Sequence, residues 1–375
     1  MKVYLIHCTS VAGHHLEYIH HLYMGALARQ DNEYHFVLPA AFQDKKYIFN
    51  WPETDHIHID ILDIEDGVDD LGLLKKSWLK ARSLGKYIKR FRITHVILID
   101  LISYIPFLPL FVPFRIKVRG ILYRIYLYDW PVSNWKKKSE DIVKYLIFSR
   151  LKVFDKVFLL NDSTAAAYLN KLYKTNTFHF LPDPVASSRE YKPRDIRGRY
   201  NISSDEIVYL HPGGMLPYKG SLDILRALCE MEKSALSNVV VLFAGRVTPN
   251  IKEKFFEMFE ELKKKMHIVL IEGFLPFEDL ADLFFSCDFV LIPYKVKSQS
   301  SGIVGHSAFY HKPVIVAREG VIGKTVRKWK LGYILKEPSA SEIKHFIEKP
   351  QYCEVDGSSY VLSHSVERFC EIIYQ

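Results

Sequence analysis

Short apolar runs rich in β-formers alternate with segments of helical period along almost the whole chain, and the series is made twice. Parallel strands cannot be joined by tight turns, so each pair needs a crossover, usually a helix. The pattern therefore selects an α/β architecture of parallel sheets. The first series predicts strands at 2–7, 34–39, 57–62, 95–100, 120–127, 156–161 and 178–183, with helices near 16–29, 71–91, 138–150 and 163–173. After Pro184 the composition turns polar and charged, as in a linker. A second series then predicts strands at 207–212, 238–245, 267–273, 288–294, 313–318 and 332–336. Its helices fall near 220–231, 251–265, 277–286, 302–311, 322–329 and 341–348, and a last amphipathic stretch covers 358–375. Two Rossmann-like domains are expected, 1–185 and 186–355, followed by a terminal helix within 356–375.

A chain of 375 residues, 49% hydrophobic and 25% charged, has enough apolar residues for two such cores. Its five cysteines are odd in number and lack CxxC spacing, which suggests neither a disulfide framework nor a zinc site and fits a reducing cytoplasm. The N-terminal apolar run is too short for a signal peptide and reads as a strand. The most apolar stretch, Leu101 to Phe114, is shorter than a membrane span and carries three prolines. Directly after it, residues 115–152 hold ten Lys/Arg against three acids, interleaved with Tyr123, Tyr126, Tyr128, Trp130 and Trp135. Residues 101–152 thus fit either an anionic membrane surface or an ordinary solvated face beside a buried strand. No recognition motif for nucleic acid accompanies the charge.

Open α/β sheets bind ligands at the carboxyl ends of their strands, so the strand-to-helix loops carry the functional signal. HPGGMLPYKG (211–220) joins Gly213 and Gly214, which admit a close ligand, to Lys219 near a helix N-terminus, a combination suited to phosphate. The loop 295–302 brings Ser300, Ser301 and Gly302, then Ile303, to the start of another helix, and AREGVIG places Glu319 after the next strand. In the first domain, CTSVAGHH offers Gly13, His14 and His15, and Asp129 follows strand 120–127. A histidine here can hydrogen-bond a hydroxyl or shuttle a proton near neutral pH.

The order of these pieces resembles glycosyltransferase family 4, retaining enzymes with the two-domain GT-B fold. It rests on Lys219-Gly220, AGR (244–246), ADLFFSCDFVLIPY (281–294), the SSG…HKPV segment and EGVIG; LPDPV (181–185) is similar to the entry into the second domain. The resemblance covers residues 150–335 well and the first 150 loosely. It implies two Rossmann-like domains facing each other across a cleft, the terminal helix crossing back to the first. It further implies a nucleoside diphosphate sugar as donor and a glycan or glycolipid as acceptor. Gly213, Gly214, Lys219 and the backbone of Ser300, Ser301, Gly302 and Ile303 would hold the diphosphate, and Gly13, His14, His15 and Asp129 would face the acceptor. Two departures stand out. Gly214 occupies the position of a usual arginine, for which Arg246 is the candidate substitute, and the E-x7-E signature is absent, leaving Glu319 as a nearby carboxylate.

Lys219, Arg246 and His14 are thus the candidate catalytic groups. No DxD follows a strand, and Asp69-Asp70 reads as a helix cap, so neither a metal nor another cofactor is expected. The reading is a sugar transferase of cell-surface polysaccharide synthesis, cytoplasmic or peripheral on the inner membrane face. A sugar-nucleotide epimerase and a non-catalytic nucleotide-binding scaffold are the alternatives.

Overall fold

The structure, a computed structural model, describes residues 1–11, 14–43, 51–63, 71–185, 192–273, 275 and 277–375, with the side chains of residues 14 and 277 left aside. The chain divides into two compact units, Met1–Pro182 with Val366–Gln375, and Asp183–Ser365.

The first unit runs β1 (Val3–His7), α1 (His14–Leu27), β2 (Glu33–Leu38), β3 (Ile57–Ile61), α2 (Leu73–Arg90), β4 (His95–Leu98), α3 (Leu108–Phe111), β5 (Lys117–Leu122), α4 (Trp135–Arg150), β6 (Phe154–Leu160), α5 (Ser163–Tyr173) and β7 (Phe178–Leu181). Among the described residues its strands form one parallel sheet, ordered β3-β2-β1-β4-β5-β6-β7.

The second unit runs α6 (Ile196–Arg199), β8 (Ile207–Pro212), α7 (Ser221–Cys229), β9 (Val239–Ala244), α8 (Pro249–Leu262), β10 (His267–Ile271), α9 (Phe277–Ser286), β11 (Phe289–Ile292), α10 (Gly302–Phe309), β12 (Val314–Ala317), α11 (Gly320–Trp329), β13 (Gly332–Leu335), α12 (Ala340–Glu348) and α13 (Ser358–Ser363). Its parallel sheet is ordered β10-β9-β8-β11-β12-β13. Tyr209, Val241 and Phe243 pack into one core cluster while Val208, Leu210, Val240 and Leu242 pack into another. Alternate residues thus enter opposite faces, and because both faces are covered, β9 is buried along its whole length.

The final helix, α14 (Val366–Tyr374), belongs to the first unit. The single helix expected over 358–375 is therefore two, divided at His364 and Ser365, where Val185 takes a backbone bond from its amide to the His364 carbonyl at 2.8 Å. The unit boundary falls at Asp183, three residues before the expected 186, and the return begins at Val366 rather than within 356–365. α14 buries Phe369, Cys370, Ile373 and Tyr374. Its last carbonyls are capped from the sheet: Arg119 Nη1 donates to Ile373 at 2.6 Å, and Tyr4 Oη donates to Tyr374 at 2.8 Å. Arg119 also donates to Asp155 at 2.8 Å and is only 2% exposed. It is thus not a member of the basic surface in which its sequence position places it. Strand β5 begins at Lys117 and ends at Leu122, and Tyr126 and Leu127, expected in the strand, lie in a 3-10 turn over Tyr126–Tyr128.

α1 and α14 meet at Gly25, where a Cβ would lie 2.6 Å from Cys370 Sγ and 2.8 Å from its Cβ. Gly25→Ala should destabilise the protein by about 1–3 kcal/mol despite its better helix propensity. Cys370→Ala in the same chain should recover part of that loss. Chemical denaturation of the single and double variants checks the coupling.

Candidate functional site

The described candidate loops of the second unit all leave the carboxyl ends of adjacent strands, around the point between β8 and β11 where strand order reverses. Their contacts bring them side by side. Lys295 N donates to the Tyr218 carbonyl at 2.8 Å, joining the loops after β11 and β8. Gly220, with φ +79°, has the Pro293 carbonyl 2.6 Å from where a Cβ would sit. Met215 N donates to the Arg246 carbonyl at 2.9 Å, and Val321 N to the Lys297 carbonyl at 2.9 Å, adding the loops after β9 and β12.

Gly213 turns the chain with φ +93°, a conformation that a side chain would strain. Its amide donates to Ala244 at 2.8 Å, whereas the Gly214 amide has no acceptor among the described residues. Residues Pro217–Lys219 form a 3-10 turn, and Gly220 is the cap residue before α7. Lys219 folds back so that Nζ lies 3.2 Å from the position a Cβ on Gly213 would take and 5.1 Å from the centre of the Tyr294 ring. Among the described residues it has no carboxylate partner. Arg246 is exposed, beside the Gly214 turn.

Ser301 is the cap residue of α10 and makes no side-chain bond to the helix, so the amides of Gly302 and Ile303 open the helix at the end of the loop after β11. Ser300 is held from below: its Oγ donates to Asp183 Oδ2 at 2.9 Å, across 117 residues of sequence. The Ser298 hydroxyl is fully buried without a partner among the described residues. Glu319 pairs with Lys297, and that ammonium holds its carboxyl below the usual glutamate range.

Beneath the glycine turn sits a residue that sequence reasoning passed over. His211, near the end of β8, is fully buried, and burial pushes its imidazole down to about 4. It is neutral at pH 7, so its bonds fix the tautomer: Nδ1 donates to the Leu291 carbonyl at 2.7 Å, and Nε2 accepts from Ser221 Oγ at 2.8 Å. The motif IVYLHP places a polar ring at a strand end, but only the fold reveals that it is enclosed.

In the first unit, Gly13 and the His14 side chain lie outside the described residues, as do Asp69 and Asp70. His15 stacks on Tyr123 at 5.8 Å, with Nδ1 3.5 Å from Cys8 Sγ. Asp129 accepts from Arg124 Nε at 2.8 Å. His7 ends β1 buried against Tyr104, Nδ1 to Oη 2.7 Å, with its imidazole pushed down to about 3 by burial and Lys80.

The arrangement in the second unit suits a phosphorylated ligand: the unpaired Gly214 amide at a glycine turn, a helix N-terminus and a lysine, with nearby Glu319 neutralised by Lys297. Residues 193–350 match the family glycosyl transferases group 1. The match lies within the second unit and spans the glycine turn, Lys219 and the start of α10. The chain is similar along its whole length to Anabaena Alr3699/HepE, solved in complex with UDP and glucose, at 11% identity and a TM-score of 0.64, covering 100% of this chain and 96% of that one. It is similar also to sucrose-phosphate synthase of Thermosynechococcus elongatus (13%, TM-score 0.68, 100% and 95% covered). A third likeness is to WaaG, a glycosyltransferase involved in lipopolysaccharide biosynthesis (13%, TM-score 0.62, 99% of both). At such identities these likenesses establish the fold, GT-B with two Rossmann-like domains. No curated protein matches the sequence.

The site should be acid-sensitive through His211. Unfolded, the ring titrates near 6.5; folded, near about 4. The stability of the neutral form is complete above pH 6.5 and drains away as pH falls towards the folded value. Between about pH 7 and pH 5, His211→Gln should lose about 2 kcal/mol less than the parent. Other buried histidines titrate alike in both proteins, so the difference in denaturation midpoints isolates His211.

Proposed function

We propose that the protein transfers a sugar from a nucleoside diphosphate sugar to a glycan or lipid-linked glycan acceptor, with retention of anomeric configuration, in the manner of glycosyltransferase family 4. The observation that carries this reading is the Lys219 ammonium, held without a carboxylate partner over the Gly213–Gly214 turn. A bound diphosphate would accept from the Gly214 amide, the α10 amides of Gly302 and Ile303, and Lys219 Nζ, with Arg246 adding charge from the next loop. UDP and glucose in the similar Anabaena structure support a nucleotide-linked donor.

The chemistry then needs little else. As the bond from the anomeric carbon to the diphosphate oxygen breaks, negative charge grows on that oxygen, and groups aimed at it stabilise the transition state. The acceptor hydroxyl attacks the anomeric carbon and its proton passes to the departing diphosphate, so a general base on the protein is dispensable. The carboxylates that an epimerase would call on are engaged, Glu319 with Lys297 and Asp129 with Arg124. Lys219→Ala should weaken nucleoside diphosphate binding by about 10–100-fold, the worth of a charge-assisted bond, and abolish transfer while the melting transition stays cooperative. Calorimetry with UDP, GDP and ADP, followed by hydrolysis assays on their sugars, measures both and identifies the base. Unchanged binding and turnover in this variant would overturn the assignment.

The acceptor side points to a lipid surface. Among the described residues no helix is long and apolar enough to cross a membrane. Yet Leu110, Phe114, Val132 and Trp135 are 68–82% exposed, and Trp135 opens α4 in a turn with exposed Lys136, Lys137 and Lys138. Aromatic and cationic side chains together favour an anionic interface, each cation contributing about 1 kcal/mol. Trp135→Ser combined with Lys136→Glu, Lys137→Glu and Lys138→Glu should reduce sedimentation with phosphatidylglycerol vesicles at least several-fold and leave binding to neutral vesicles unchanged.

A further inference from the structure

Far from these loops in sequence and topology, the outer strands of the first sheet carry a group of metal-ligating side chains. β3 is the edge strand and pairs in parallel with β2. The period of two along β2 puts Glu33 and His35 on one face, and the register sets His58 directly opposite His35. The side chains converge. His35 Nε2 lies 3.0 Å and His58 Nε2 3.4 Å from the same oxygen, Glu33 Oε1, and the three atoms all fall within 4.8 Å of one another.

The two separations from Glu33 Oε1, 3.0 and 3.4 Å, are near the edge of a tetrahedron of ligands about 2.0–2.2 Å from a central ion, roughly 3.4 Å. The His35 ring is clamped by stacking on Phe91 at 4.1 Å and on His58 at 4.8 Å. Its Nδ1 is buried without a partner among the described residues, and Nε2 is the ring nitrogen that faces Glu33. His58, 43% exposed, and Glu33, 33% exposed, are open to solvent, giving an ion a way in and room for the His58 ring to turn its lone pair inwards.

We propose that Glu33, His35 and His58 form a zinc site that staples the edge strand β3 to β2, with water as the fourth ligand. Two imidazoles and one carboxylate are a donor set for a borderline divalent ion rather than for magnesium or calcium, which take oxygen. The backbone register presents the set, so zinc needs no loop to order. Its effect is to stabilise a strand that, among the described residues, is paired on one side only.

The test uses the full chain freed of metal with a chelator. Zinc chloride titrated into it should bind at one site and raise the thermal midpoint by several degrees, as a ligand binding only the folded state must. Cobalt(II) in its place should give the visible absorption of a four-coordinate ion. His58→Ala, at an exposed edge position, should leave the metal-free midpoint nearly unchanged and abolish both responses, and Glu33→Gln should weaken zinc binding at least ten-fold. A midpoint indifferent to zinc, or a zinc response undiminished in both variants, would overturn the proposal.

Discussion

In a parallel sheet the ladder can hold neighbouring strands only as far as they run together, and β8 and β11 part early. Their register ends at Tyr209 with Phe289 and Leu210 with Val290. One residue further, the His211 ring bonds to the Leu291 carbonyl, and through its other nitrogen it takes the hydroxyl of Ser221, the first residue of α7. A side chain thus continues what the backbone cannot, at the point where the strand order reverses and a ligand crevice opens. Enclosed away from water, the ring stays neutral at pH 7 because burial penalises its charged form. The glycine turn above it inherits its position from this bond pair.

The first sheet solves the same problem in a related way. His7 ends β1, the strand from which β2 and β4 depart to either side, and is buried, neutral and bonded to Tyr104. Both rings are costly to protonate for the same reason, desolvation. A buried imidazole offers one donor and one acceptor in a rigid plane, which suits a junction that must join two elements without carrying charge.

The fold was largely legible because the periodicity of strands and helices is strong where both sheet faces are covered. Legibility failed where a charged residue was structural. Arg119 reads as one of a basic run, yet it is buried as the cap of α14, a partner 254 residues away. Unaware of that, the pattern puts the strand at 120–127, following the alternation in GILYRIYL, whereas pairing with β4 begins at Lys117. Likewise nothing local to 358–375 announces the break at His364, which is set by the backbone of Val185. In the candidate site the glycine turn and Lys219 were visible as a motif. Asp183 beneath Ser300 and Lys297 against Glu319 were not, because they depend on which loops the sheet makes neighbours.

That last pairing bears on how charge is distributed across the site. Asp223 accepts both Lys295 and Arg226, at 2.6 and 2.8 Å, and Glu319 accepts Lys297, so nearby carboxylates are committed to other cations. Had either carboxylate reached Lys219, the ammonium would be neutralised before any ligand arrived, and an anion would have to displace it. Instead the Lys219 ammonium rests over the face of Tyr294, a contact worth about 0.5–1 kcal/mol at exposed sites, which positions the ammonium without cancelling it. An anion can take its bond at small cost. Ser298, in the loop after β11, brings a buried hydroxyl without a partner among the described residues and adds no negative charge to oppose the lysine.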